Sequence, residues 1–149
     1  MFEIELKNPN EMTIKAKDRV VNINVAQSKV DANLEVGELQ GAGEFELGDL
    51  IIIATNLKAG GAMYRVDVDG VKIGIVGDTA KMEDLDELGP VDVLGATDSK
   101  YVSVVEPKIL IPMGNMDFSE IKASVNVDKK LKIKSPSALP AVLEIYKLD

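Results

Sequence analysis

Neither cysteine nor histidine occurs among the 149 residues. No disulfide, thiolate nucleophile or imidazole base is therefore available, and the zinc sites and catalytic triads built on those side chains are excluded. A surplus of basic charge is missing too. Lys plus Arg number 17 against 25 Asp plus Glu, a formal net charge of −8, and a field of that sign repels phosphate backbones, so nucleic acid is not an expected partner. Long apolar runs are equally scarce. The longest aliphatic stretch, 50–54, falls far short of the ~20 residues of a membrane helix, and the start of the chain carries no basic and apolar leader pattern. The expectation is a cytoplasmic chain away from membranes.

What is present is ordinary globular usage: 46% hydrophobic and 28% charged residues, too apolar for a disordered chain. No linker, low-complexity tract or repeat breaks it up, so 1–149 is expected to be one domain. In its first half the dominant period is two, predicting strands at 2–7, 12–17, 20–25, 43–47, 50–55, 62–68 and 71–76. Two hairpins follow from their turns. Gly48-Asp49 pairs Leu47 with Leu50 and Phe45 with Ile52. Asp69-Gly70 pairs Val68 with Val71, Val66 with Ile73 and Tyr64 with Ile75, and both central residues of that turn need φ > 0.

The second half adds helices. Asp78 or Thr79 is placed to cap a short helix in which Met82, Leu85 and Leu88 recur at helical spacing and which Gly89-Pro90 ends. A strand at 91–96, a helix at 99–106 and a strand at 108–112 then make a strand-helix-strand unit with parallel strands. A further helical turn is expected at 118–123, and closing strands at 130–134 and 142–148.

Four ordered pieces carry a family resemblance: GAGEFEL at 41–47, MYRVDVDGVKIGIVGDT at 63–79, LGPVDVL at 88–94 and EPKILIPM at 106–113. In this order and spacing the chain resembles the metallo-β-lactamase superfamily, in particular its small lactonase-like hydrolases, and is shorter than usual members. The resemblance implies an α/β (α+β) sandwich of the αββα type, reduced in size and β-rich, with a metal pair, usually zinc, at one edge. It also implies a ligand motif, His-x-His-x-Asp-His, after an apolar strand. In matching register Gln27, Lys29 and Ala32 stand where that motif has histidines and Asp31 keeps its type, within the run from Ala26 to Asn33. Asp78 falls at the bridging aspartate and Gly114, followed by Asn115, at the last ligand histidine. Lys7-Asn8-Pro9 replaces an early Gly-His turn, and the missing length lies mainly between Val21 and Val25.

These replacements argue against the family's metal. A catalytic zinc keeps about three protein ligands, preferably nitrogen or sulfur, whereas Asp31 and Asp78 offer two oxygen donors. A lysine at 29 would add repulsion of about 4 kcal/mol per unit charge pair at 4 Å and an effective dielectric near 20. Lys29 beside either aspartate would instead neutralise it. Asp78 has a second reading as a helix N-cap.

Other motifs fail on spacing. With Gly70 as the sixth position of a calcium loop, Arg65 and Val76 would be its first and twelfth. The pairs Gly41/Gly43 and Gly60/Gly61 lack the phosphate-loop pattern, and Ser28, Ser99 and Ser103 lack a serine-hydrolase motif. Glu83, Asp84, Asp86 and Glu87 read as a solvated helix face, and Lys130, Lys132 and Lys134 as a protected sheet edge. Two patches of opposite sign leave open that they meet between subunits.

The sequence thus predicts a sandwich without the metal site, working as a non-catalytic binding or interaction unit whose ligand is not specified, with a homo-oligomer or protein partner left open. The alternative is a hydrolase of small esters, lactones or phosphoesters with Mg²⁺ or Mn²⁺ on Asp31, Asp78 and Asn115. A third reading keeps a pocket that takes a small organic acid through Lys29.

Overall fold

Along 2–16 and again along 62–76 nearly every second side chain is apolar, and the chain forms strands whose apolar faces turn inward. The computed structural model describes residues 1–32, 38–39 and 42–149. Its strands are β1 (Phe2–Asn8), β2 (Glu11–Ala16), β3 (Arg19–Asn24), β4 (Lys29–Ala32), β5 (Glu38–Leu39), β6 (Gly43–Leu47), β7 (Leu50–Asn56), β8 (Ala62–Val68) and β9 (Val71–Val76). The chain continues through α1 (Leu85–Leu88), β10 (Val93–Ala96), α2 (Val102–Val105), β11 (Ile109–Pro112), β12 (Ser124–Asp128), β13 (Lys130–Ile133) and β14 (Glu144–Leu148), with a 3-10 turn leading into each helix.

Two sheets result. The first, in the order β13-β1-β2-β3-β4-β5, is antiparallel throughout. The second runs β12-β14-β11-β10-β9-β8-β7-β6, antiparallel from β6 to β9 and parallel from β9 to β12. Ile4, Ile14 and Val21 from the first sheet share one buried cluster with Ile52, Ile73 and Ile111 from the second. Burying one such side chain contributes about 1.5–3 kcal/mol, and this shared interior holds the sheets face to face. A second cluster lies on the opposite face of the eight-stranded sheet, where Leu85, Leu88, Tyr101 and Val102 cover Val76, Leu94 and Leu110. The outer face of the first sheet carries Glu3, Glu5, Thr13, Lys15 and Asn22 instead. The described helices thus serve one sheet.

Both hairpins have the register their turns predict: Leu47 faces Leu50, Phe45 faces Ile52, and Val68, Val66 and Tyr64 face Val71, Ile73 and Ile75. Gly48 takes φ 64°, and Asp69 and Gly70 take 51° and 79°, as a primed two-residue turn requires. The unit from β10 through α2 to β11 has parallel strands, as expected, and β9 pairs parallel with β10 as well.

Three expectations need correction. The helix carrying Leu85 and Leu88 starts at Met82, where the Asp84 carboxylate accepts the Lys81 N–H at 2.8 Å; Asp78 and Thr79 lie too early to cap it. At 118–123 a single turn closes from the Ile121 N–H to the Phe118 carbonyl, with no helix. Residues 124–128, assigned to no element from sequence, form β12 beside β14. Gly41 and Asn33 lie outside the described residues.

Candidate functional site

Parallel strands direct their carboxyl ends to one edge of a sheet, the place where open α/β sheets bind ligands. Here β9, β10 and β11 end together at Val76, Ala96 and Pro112. Backbone bonds stitch the following loops to one another and to the first sheet. Thr97 N donates to the Val76 carbonyl (3.2 Å), Met113 N to that of Ala96 (2.8 Å), Gly114 N to that of Pro9 (2.7 Å) and Val25 N to that of Asn10 (2.9 Å). Gly77 lets this closure happen, since a Cβ there would stand 3.3 Å from Val25 Cβ and 3.4 Å from its carbonyl oxygen.

Asp78 emerges exposed at this edge, and its carboxylate accepts the Thr97 hydroxyl at 2.5 Å. Gly114 closes the group. It holds φ 58°, and a Cβ on it would sit 3.3 Å from Thr97 Cγ2 and 3.4 Å from Asn10 Oδ1. Beneath lies Tyr101, fully buried, its hydroxyl donating toward the carbonyls of Ala80 (2.6 Å) and Gly77 (3.0 Å). Burial, and after it the charges of Asp98, Asp78 and Asp84, push that phenol up to about 12.

The stretch matched to the ligand motif folds as a β-hairpin. Strand β3 turns through Val25, Ala26, Gln27 and Ser28 into β4, with Asn24 opposite Lys29 and Asn22 opposite Asp31. Asn24 Oδ1 accepts the N–H groups of Ala26 and Gln27, each at 3.0 Å, and Ser28 completes the turn at φ 53°. The Ser28 hydroxyl oxygen accepts the Ala62 N–H at 3.2 Å, and the Tyr64 hydroxyl shares a hydrogen bond with Ser28. Burial raises the Tyr64 pKa despite that bond.

Pleat then decides where the matched side chains go. Val30 is buried, so Lys29 and Asp31 project from the opposite, solvent face of the sheet. They border a polar hollow of about 200 Å³ together with Gln27, Glu11, Asn22 and Asn24. The structure thus brings Gln27, Lys29 and Asp31 together in one place and Asp78 and Gly114 together in another, the latter two joined through Thr97. Ala32 ends β4, paired with Val21. Asn115 is exposed on the loop after Met113.

Sequence reasoning missed Thr97, Asn10 and Asn24. For Thr97 a signal existed. Once three parallel strands are assigned, the residue after each carboxyl end becomes a candidate, and Thr97 follows Ala96 directly. Among the described residues, no group of three or more carboxylate, histidine or cysteine side chains is arranged to hold a metal ion. The side chain that meets Asp78 is the Thr97 hydroxyl, which is not a donor that zinc favours.

No family model matches the sequence, and no curated protein matches it. Among solved structures, the chain is similar to a Thermotoga maritima protein described as a candidate Zn-dependent hydrolase of the metallo-β-lactamase superfamily, with a TM-score of 0.74 at 11% identity. That likeness shows the fold: a β-rich, metallo-β-lactamase-like arrangement of two sheets. It covers 99% of each chain, so the small size is shared with that structure.

Proposed function

We propose that residues 1–149 form one metallo-β-lactamase-like domain that works without a bound transition metal, as a binding or interaction unit and not by that superfamily's hydrolytic chemistry. One observation carries the reading. The segment matched to the histidine motif is a hydrogen-bonded hairpin whose Lys29 and Asp31 face outward on the first sheet, while Asp78 is engaged by Thr97 at the strand ends. Asp31 lines its hollow with Lys7, Glu11, Asn22 and Asn24, whereas Asp78 meets the Thr97 hydroxyl. Two carboxylates do not make the ligand set of a catalytic zinc. The net charge of −8 supports a partner other than nucleic acid; among the described residues no helix is long and apolar enough to cross a membrane.

Elemental analysis of protein purified without chelators tests this directly. Zinc, iron and manganese are expected well below one equivalent. Thermal unfolding with added Mn²⁺ or Mg²⁺ tests the oxygen-ligand hydrolase, and no rise in midpoint is expected. Stoichiometric metal, or a rise abolished by Asp31→Ala with Asp78→Ala, overturns the proposal.

A further inference from the structure

Another hollow, of about 380 Å³, lies beside the strand-end site and shares Gly114 with it. It opens between the β1–β2 turn, the loop after β11 and the end of β14. Its volume falls within the ~300–1,000 Å³ of small-molecule pockets. Its apolar wall draws on both cores: Leu6 and Leu148 belong with the cluster between the sheets, and Met116 and Phe118 with the cluster under the helices. Pro9 and Pro112 extend this wall without adding a backbone donor.

The polar rim runs against the charge of the whole chain. A protein of net charge −8 places Lys7 and Lys147 here with one acidic side chain, that of Asp149. Lys7 is two-thirds exposed, and its pairing with Glu11 is long, 3.8 Å, so little is lost by turning it to a ligand. Both ammonium groups are point charges on flexible stems, suited to a small monoanionic head and not to a bidentate fork.

We infer that this hollow binds an amphipathic alkyl carboxylate, its chain against Leu6, Met116, Phe118 and Leu148 and its head between Lys7 and Lys147. The inference deepens the binding-unit reading by naming a ligand class. Metal content leaves it untouched, so the two fail separately.

The test is titration of the full chain with octanoate, octanol and acetate, followed by amide chemical shifts and calorimetry. Octanoate is expected to bind saturably and to shift Gly114, Met116, Phe118 and Leu148, with octanol and acetate at least tenfold weaker. Lys7→Ala with Lys147→Ala is expected to weaken octanoate at least tenfold, and Lys7→Arg with Lys147→Arg to retain it. The ligand-free thermal midpoints of these variants should match that of the parent. Absence of saturable octanoate binding, equal binding of octanol, shifts confined to other surfaces, or unchanged affinity in the alanine pair overturns the proposal.

Discussion

The Thr97 hydroxyl donates to the Asp78 carboxylate over 2.5 Å and ties the end of β10 to the end of β9. Asp78 is exposed, so removing the donor returns the carboxylate to water instead of stranding it in the interior. Thr97→Val should therefore cost about 0.5–1.5 kcal/mol in urea unfolding, the range of a net hydrogen bond. A loss above ~3 kcal/mol would mean that the bond is shielded from solvent and organises the strand ends by itself.

Tyr101 is expected to lower stability at alkaline pH. Its pKa is raised from 10.0 to about 12, by burial first and then by neighbouring aspartates. Below pH ~10 the phenol is protonated in both folded and unfolded chains, and its contribution is fully present. Between about 10 and 12 the unfolded chain loses the proton while the folded one keeps it, so stability falls as pH rises. Tyr64 and Tyr146 are shifted in the same direction and add to the slope. Tyr101→Phe should make the fall in urea midpoint from pH 9 to 12 shallower, while lowering stability near neutrality through loss of the bonds to Ala80 and Gly77. An unchanged slope would place the alkaline transition elsewhere.

How much of this was legible in sequence depended on whether the signal was local. The Gly48-Asp49 and Asp69-Gly70 turns fix register within a few residues, and pairs such as Val66 with Ile73 follow from the period-two pattern alone. Strand β12 was missed because its Val125 and Val127 are exposed on an edge strand. Its pairing with β14 is parallel, so no turn announces it. At the site, the absence of histidine was visible at once. That Lys29 and Asp31 would lie on the solvent face of the first sheet was not, because it depends on the hairpin closing at Asn24 and Ser28.

The Asn24 side chain is expected to hold that hairpin closed. Its amide oxygen is the acceptor for two turn N–H groups, and in Asn24→Ala both must turn to water. A loss of about 1 kcal/mol is expected, comparable to removing a helix cap. Asn24→Asp keeps an acceptor at the same place and should lose less. Equal losses in urea unfolding for the two variants would show that packing, and not the turn acceptor, defines the loop.

Edge strand β13 offers the sharpest test of association. Lys130 and Lys132 both reach Glu3 of β1, at 3.6 and 3.8 Å, and exposed pairs of this kind contribute at most about 1 kcal/mol. Their larger effect is to keep a second strand from pairing, since β13 ends its sheet and a new partner would have to approach two ammonium groups. Lys130→Thr with Lys132→Thr should leave the unfolding midpoint nearly unchanged but produce concentration-dependent association in sedimentation velocity, while the parent chain sediments identically at low and high salt. If instead the parent is an oligomer that salt dissociates, and the double variant is monomeric, the lysines form an interface with an acidic surface such as Glu83 and Asp86, and the protective role of the edge is wrong.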